Sequence, residues 1–328
     1  METDILDQSQ LKDLTVRSLR IKDNTLDENI PSSAFPLGKV YTHRPPEFDL
    51  GTLDVLPLEL IQDVLSQLDL YSLTTFRRIN RRAVEVVESI PQYKAITTHA
   101  LDALRGSLSI GTGHLISCET LYEKLCTAEC EECGDFAGYL YIYTCKRVCY
   151  LCFTDNENYG PLLRRHAMQE FGFGTQVLKT LPSMMSAPGR YSPNDLKRPK
   201  SLILIDFEST FRAGIAHHGS AYALWRYRVS FTGRARPKLE DPVRFMAVVR
   251  LPWLNKSVQK VESGFYCVGC RDSNVRGQRQ EWTRNHLTVT SNSHIRGQPP
   301  HWRRKYTVAS FNEHLNRCGR IENGKHRH

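Results

Sequence analysis

The most regular hydrophobic pattern of the chain lies between residues 53 and 90. Leu58, Ile61 and Leu65 recur at spacings of three and four, which places them on one face of a helix. Asp69 is a suitable N-cap for a second helix, which carries Leu73. This second periodic stretch continues to about residue 87, so the region has room for three short helices. The pattern alone also fits a helical hairpin whose leucines pack only against their own chain.

Shorter apolar runs downstream predict small strands and helices. Residues 139–143 are rich in tyrosine and predict a strand, and residues 161–171 predict a helix. The runs at 202–205 and 245–249 are typical of buried strands or short helical pieces. Residues 1–50 have little apolar periodicity and many turn-forming residues, so we expect a disordered arm there. The expected fold class is therefore α+β.

These predictions divide the chain into four parts. The arm covers residues 1–50, the helical region 51–97, a cysteine-rich module 98–190, and a mixed α+β region 191–328. No run approaches the roughly 18 to 20 apolar residues that a membrane-spanning helix needs. The first four residues include two acids where a secretory signal is basic, so we expect a protein of the cytoplasm or nucleus.

Composition adds a local concentration of positive charge. The formal net charge is +9. From residue 271 onward, 12 Lys+Arg stand against 4 Asp+Glu, whereas residues 1–270 carry 32 against 31. The basic character therefore belongs to the last part of the chain, and the rest is close to neutral.

The ten cysteines include one group with metal-binding spacing. This group has the pattern C-x2-C-x15-C-x2-C and consists of Cys130, Cys133, Cys149 and Cys152. Each pair supplies two thiolates from a tight turn, and four thiolates leave no open position for catalysis. We therefore expect a structural zinc ion in a treble-clef or ribbon-like module. Cys126 and Cys145 repeat the spacing and remain alternative ligands.

A second group begins with the pair Cys267 and Cys270. His314 and Cys318 lie four residues apart, on one face of a predicted helix that Ser310 could cap. Three further histidines compete as ligands, namely His286, His294 and His301. The sequence therefore predicts two structural zinc ions in the chain.

A basic stretch with interleaved tryptophans separates these ligands. Its candidate contact residues are Arg279, Trp282, Arg284, Trp302, Arg303 and Arg304. Arginine beside aromatic rings suits phosphate contacts and base stacking in nucleic acid. The same residue types anchor protein ligands, and a solvated basic face has the same composition. The pattern leaves these alternatives open.

The helical region carries the run LPLELI at residues 56–61 and the run RRINRR at residues 77–82. With the leucines between them, these runs resemble the F-box, a motif that docks onto the adaptor subunit of cullin-based ubiquitin ligases. The order of F-box, cysteine-rich module, and Leu-Pro and Pro-Gly stretches at 178–183 and 188–191 resembles that of fungal F-box proteins. The resemblance implies that eight side chains contact the adaptor, namely Leu56, Pro57, Leu60, Ile61, Leu65, Leu68, Leu70 and Leu73.

The resemblance also implies a function. The chain would be a non-enzymatic subunit that binds the adaptor, and through it cullin, and recruits a protein substrate to the ligase. The zinc-braced C-terminal region would hold that substrate. The alternative, which rests on the residues alone, is a zinc-ribbon protein that binds nucleic acid through the basic stretch.

Overall fold

The computed structural model describes residues 8–31, 46–231, 242–271 and 301–327, and the fold mixes short helices with small sheets. The helices are α1 (Gln8–Leu14), α2 (Leu58–Ser66), α3 (Leu70–Phe76), α4 (Arg81–Ser89), α5 (Pro91–His99), α6 (Leu101–Ser109), α7 (Cys118–Leu125), α8 (Tyr150–Asp155), α9 (Arg164–Phe171), α10 (Thr175–Lys179), α11 (Phe207–His218), α12 (Ala221–Phe231), α13 (Pro242–Met246) and α14 (Val308–Cys318). The mixture fits the α+β class that the sequence predicts. Within the four described ranges, no helix has the length and apolar character needed to cross a membrane.

The strands have two or three residues each and form small antiparallel sheets. They are β1 (Thr15–Val16), β2 (Tyr139–Tyr141), β3 (Lys146–Val148), β4 (Leu162–Leu163), β5 (Ser183–Met185), β6 (Gly189–Tyr191), β7 (Leu196–Arg198), β8 (Ile203–Ile205), β9 (Val248–Arg250), β10 (Trp253–Asn255), β11 (Lys260–Glu262), β12 (Phe265–Cys267), β13 (Lys305–Tyr306), β14 (Arg320–Glu322) and β15 (Lys325–Arg327). Three-stranded sheets have the orders β3-β2-β9, β4-β8-β5 and β1-β12-β13. The remaining strands pair as the hairpins β6-β7, β10-β11 and β14-β15.

Side-chain caps set the boundaries of the first long helical region. Asp69 accepts a hydrogen bond of 2.8 Å from the Ser72 amide and caps α3, as the sequence predicts. Asn80 accepts one of 2.8 Å from the Ala83 amide and caps α4. The second periodic stretch therefore contains two helices, and the break between them falls at residues 77–80.

One large core joins this helical region to the first cysteine-rich segment. Helices α2 to α7 contribute buried side chains such as Leu73 and Leu104, and β2 contributes Leu140. Strand β2 pairs with β3 on one side and with β9 on the other. Because a two-stranded hairpin is only marginally stable, the distant strand β9 completes the sheet. The core therefore crosses the boundaries expected at residues 97 and 190.

A second, smaller core lies among α9, α10, α11 and α12 and includes Phe171 and Leu224. Helix α9 begins later than the predicted residue 161, because Leu162–Leu163 pair with β8. A Cβ at Gly214 of α11 would lie 2.7 Å from Cδ1 of Phe171, so this glycine permits the close approach of the helices. The resulting helical unit carries α12 on its surface.

The N-terminal segment corrects the prediction of a disordered arm over residues 1–50. Within its described part, residues 8–31, β1 pairs with β12, and Leu26 is buried in the large core. The Asn29 side chain accepts a hydrogen bond of 2.8 Å from the Arg190 amide and donates one of 2.8 Å to the Arg190 carbonyl. These partners are far away in sequence, so local periodicity does not reveal them.

Candidate metal centres and docking face

The first centre is built from two tight turns. In the first turn, the amide of Cys130 donates to the Asp135 carbonyl at 2.6 Å, and the amide of Gly134 donates to the Cys130 carbonyl at 2.9 Å. Gly134 has a φ of +78°, a left-handed conformation that glycine adopts without strain. The turn thereby holds Cys133 beside Cys130.

The second turn lies where β3 ends and α8 begins. Cys149 caps α8, and its Sγ accepts a hydrogen bond of 3.4 Å from the Cys152 amide. The amide of Cys149 lies 3.3 Å from Sγ of Cys130, and the Sγ atoms of Cys133 and Cys149 are 3.7 Å apart. All four Sγ atoms lie within 4.8 Å of one another. The structure therefore brings the four predicted cysteines together in one group that could bind a metal ion.

Hydrogen bonding lowers the pKa of one of these thiols. The side chains of Cys149 and then of Cys152 lower the pKa of Cys130, against the opposing effect of burial. Burial instead raises the pKa of Cys145 to about 12, and burial also raises the pKa of Cys126. Neither belongs to the group of four, and both pack with the large core.

The second centre collects side chains from separate elements. Cys267 ends β12, Cys270 follows in the next turn, His314 lies in α14, and His326 lies in β15. Sγ of Cys267 is 3.3 Å from Nε2 of His326, and Sγ of Cys270 is 3.5 Å from Nε2 of each histidine. A hydrogen bond from Cys270, and a weaker contribution from His314, lower the pKa of Cys267 to about 4. These four ligand atoms also lie within 4.8 Å of one another and could bind a metal ion.

In both histidines, a hydrogen bond at Nδ1 orients the ring so that Nε2 points to the cysteines. Nδ1 of His314 lies 3.1 Å from the Tyr306 hydroxyl, and Nδ1 of His326 lies 2.9 Å from the Gly319 carbonyl oxygen. Because a carbonyl oxygen can only accept, Nδ1 of His326 carries the proton. In the neutral ring, Nε2 then carries the lone pair, which faces the sulfur atoms. Metal-ligating histidines are typically oriented in this way.

The sequence predicts Cys318 as the fourth ligand of the second centre. The structure corrects this prediction, because His326 and not Cys318 belongs to the group. Cys318 is the last residue of α14, and Gly319, with a φ of +81°, turns the chain away from the helix. Asn323 and Gly324 have φ values of +51° and +74° and form the turn between β14 and β15, which returns His326 to the centre. Asn-Gly is a strong sequence signal for a two-residue hairpin, so this ligand could have been found from the sequence.

Two local features position the histidines. A Cβ at Gly269, inside the cysteine turn, would lie 2.9 Å from Cδ2 and Nε2 of His326, so only glycine leaves room for this ring. The helix that carries His314 is capped by Thr307 in a capping box with Ser310. Ser310 therefore lies in the first helical turn and is not the N-cap that the sequence suggests.

Residues 303–306 connect the two centres. The buried Arg303 forms an ion pair with Asp23 of the N-terminal segment. Arg304 forms an ion pair of 3.1 Å with Asp135, which belongs to the first cysteine turn. Since Tyr306 orients His314, this short segment contacts the first turn at one end and the second centre at the other.

The residues of the basic stretch that were predicted to contact a substrate or nucleic acid lie in different environments. Arg303 is buried, so it stabilises the fold and is not available as a contact, which corrects the prediction for this residue. Its guanidinium carbon lies 4.7 Å from the ring centroid of Trp302. Arg304 is engaged with the first centre. Three remaining candidates lie outside the described residues, namely Arg279, Trp282 and Arg284.

The eight predicted adaptor contacts are divided between the core and the surface. Four are buried (Ile61, Leu65, Leu70 and Leu73), Leu68 is partly buried, and three are exposed (Leu56, Pro57 and Leu60). Val55 and Val64 are exposed as well and were not among the predicted contacts. We define the docking face as Val55, Leu56, Leu60 and Val64. The buried members support α2 and α3 from within and cannot meet a partner directly.

No protein-family model, curated protein or solved structure matches this chain.

Proposed function

We propose that this chain is a non-enzymatic F-box subunit of a cullin-based ubiquitin ligase, acting in the cytoplasm or nucleus. The region of α2 binds the adaptor and, through it, cullin. The remainder, braced by two structural zinc ions, holds a protein substrate. The observation that carries the proposal is the docking face, an exposed apolar surface in the part of the chain that resembles an F-box.

Helix α2 is apolar on both of its sides. Ile61 and Leu65 enter the large core, whereas Leu60 and Val64 remain 51% and 61% exposed. Because the inner side of α2 already packs in the core, these exposed apolar side chains form an outer surface that suits a partner's groove. Covering half-exposed side chains of this size stabilises a complex by about 1 kcal/mol each. The docking face thus supports the adaptor interaction that the resemblance implies.

The distances within both centres fit zinc. A tetrahedral ion with Zn–S bonds of about 2.3 Å separates its sulfur ligands by about 3.8 Å, and Zn–N bonds of about 2.0 Å place nitrogen about 3.5 Å from sulfur. The measured Sγ–Sγ distance is 3.7 Å in the first centre. The Sγ–Nε2 distances of the second centre are 3.3 to 3.5 Å. Zinc is therefore the metal we assign to both centres.

The ligand sets also support a structural role. Each centre has four protein ligands, whereas a catalytic zinc keeps one position open for water or substrate. This ligand count agrees with a binding subunit whose zinc ions stabilise the fold.

The test is co-purification with the adaptor. Full-length wild-type chain and a variant with Leu60→Asp and Val64→Asp are tagged and recovered from the native cell, and adaptor and cullin peptides are quantified by mass spectrometry. The wild type should carry both, and the variant should lose both, because two carboxylates on the docking face would be buried without partners.

The matched control is Val258→Asp with Val261→Asp. These two valines are exposed in the region of the β10-β11 hairpin and lie outside the docking face. The control should keep the adaptor, and all three proteins should contain two zinc ions. Wild-type protein without adaptor, or undiminished adaptor on the Leu60 and Val64 variant, would refute the proposal.

A further inference from the structure

Helix α12, which packs in the smaller core and not in the large core with α2, presents a second exposed apolar surface. Tyr222, Trp225 and Val229 are 67%, 58% and 55% exposed. Their spacings of three and four residues place them along one stripe of the helix. We define these three residues as the α12 ridge. The rings of Tyr222 and Trp225 stack at a centroid distance of 6.0 Å, with 24° between their planes.

The inner side of α12 fixes the ridge in place. Leu224 is fully buried in the smaller core. The guanidinium of Arg228 lies 5.2 Å from the ring centroid of Phe171 and pairs with Glu170 at 3.5 Å. The helix therefore cannot roll to bury its outer side without breaking these contacts. Large aromatic side chains held rigidly at a surface are the residues that dominate the energy of protein interfaces.

The charge around the ridge defines the partner. Helices α9 to α12 carry six Lys+Arg and two Asp+Glu. Both acids already have partners, since Glu170 pairs with Arg228 and Glu208 pairs with Arg212 at 2.5 Å. On α12 itself, Arg226 is exposed immediately beside Trp225, and the helix contains no acid. A segment that covers the ridge therefore lies beside the Arg226 guanidinium and meets no acid of α12, so acidic residues on that segment are favoured.

We propose that the α12 ridge is a substrate-docking surface that takes an acidic protein segment with aromatic or aliphatic anchors. This inference rests on the proposed function, because it names the class of substrate that the ligase subunit would recruit. A single-stranded nucleic acid is bound by a basic groove that follows its backbone and by aromatic rings that stack on its bases. An aliphatic side chain contributes to neither of these interactions. Val229 on the ridge therefore favours a protein partner. The anchors stack on Trp225 and Tyr222, and the carboxylates face Arg226.

The probe is a phage-displayed library of random peptides, about twelve residues long, selected on the full zinc-loaded chain. Selected sequences should combine Asp or Glu with Trp, Phe or Leu. The best of them is then labelled with a fluorophore, and its affinity is measured by anisotropy. Trp225→Ala should weaken binding by at least about tenfold, as expected for a central aromatic anchor. Arg226→Glu should weaken it as well, and exchanging the peptide's acids for lysine should restore binding to that variant.

The control variant is Tyr71→Ala, which removes an equally exposed aromatic ring from α3 and should leave peptide binding unchanged. An unbiased or basic consensus, or an affinity that does not respond to Trp225→Ala and Arg226→Glu, would overturn the inference. Binding that depends on Trp225 but is found only with a labelled oligothymidine, or only with phosphatidylserine vesicles, would overturn it too.

Different results would refute the ligase proposal and the inference about the α12 ridge. The variant with Leu60→Asp and Val64→Asp should lose the adaptor and keep the peptide, whereas Trp225→Ala should lose the peptide and keep the adaptor. A chain without adaptor binding but with peptide binding through the ridge refutes the ligase proposal alone. A chain with adaptor binding and no peptide that depends on the ridge refutes this inference alone.

Discussion

Replacing His326 by alanine tests the corrected ligand set of the second centre most directly. The variant removes one of the four ligand atoms that lie within 4.8 Å of one another. The companion variant, Cys318→Ser, removes the thiol that the sequence favoured for the same place. Cys318 ends α14, and His326 lies in β15 after the next turn of the chain. Comparing the two variants therefore shows which of the two residues is the fourth ligand.

The magnitude follows from the number of ligands. Structural zinc binds with an apparent free energy of about 10 to 16 kcal/mol, so each of four ligands accounts for about 2.5 to 4 kcal/mol. Since about 1.4 kcal/mol corresponds to a factor of ten, His326→Ala should weaken zinc binding by about 10² to 10³. In the described part of the chain, the core around this centre consists of three buried residues, namely the ligand Cys267, Tyr306 and Phe311, so little besides the metal holds the fold together there. Loss of zinc should therefore unfold this part of the chain.

The assay measures zinc content after dialysis against a zinc-buffering chelator. The chelator sets a free zinc concentration between the dissociation constants of the wild type and of the variant. Metal is measured by plasma mass spectrometry, and near-ultraviolet circular dichroism reports the packing of the tyrosines. Wild type and Cys318→Ser should retain two ions, and His326→Ala should retain one. A Cys149→Ser variant calibrates the loss of the first centre. The assignment is refuted if Cys318→Ser loses an ion and His326→Ala keeps both.

Three further variants probe the surroundings of the centres. Gly269→Ala should lower the zinc affinity of the second centre by about 10- to 100-fold, because the new Cβ displaces the His326 ring. Chelator competition measures this affinity, and an unchanged value would contradict the position of the ring. Arg303→Met should cost about 3 to 5 kcal/mol in urea unfolding because it leaves the Asp23 carboxylate without its cationic partner and with the Tyr139 hydroxyl as its remaining donor, and adding Asp23→Asn should recover part of this loss. Arg147→Met removes a buried side chain that donates five hydrogen bonds to backbone carbonyls, and a cost below about 2 kcal/mol in the same assay would contradict its structural role.

The sequence predicts the first centre because its geometry is local. Each C-x2-C turn places two thiols by itself, and the intervening hairpin of β2 and β3 brings the turns together. The second centre is harder to predict because its ligands come from elements far apart in sequence. Helical spacing points to His314 and Cys318 equally, and only the Asn-Gly turn after Gly319 shows that the chain returns with His326.

Helical periodicity identifies the faces of α2 but does not say which face meets the core. Leu60, Ile61, Val64 and Leu65 are all apolar, and the distribution of burial among them depends on how α4 packs against α2. The N-terminal segment gives no local signal at all. Leu26 is buried by residues of the large core, and β1 exists only as the partner of β12. Such elements follow from tertiary contacts that a single sequence does not display.

The pairing of the N-terminal segment with distant residues determines when the protein can finish folding. Asp23 and Arg303 are 280 residues apart in sequence. At a synthesis rate of about 5 to 20 residues per second, the segment must wait roughly 15 to 55 s for its partner to leave the ribosome. Through most of that interval the backbone of residues 15–16, whose partner β12 is also made late, stays accessible to other chains and to chaperones. Residues that are made long before Arg303 are therefore among the last to reach their native positions.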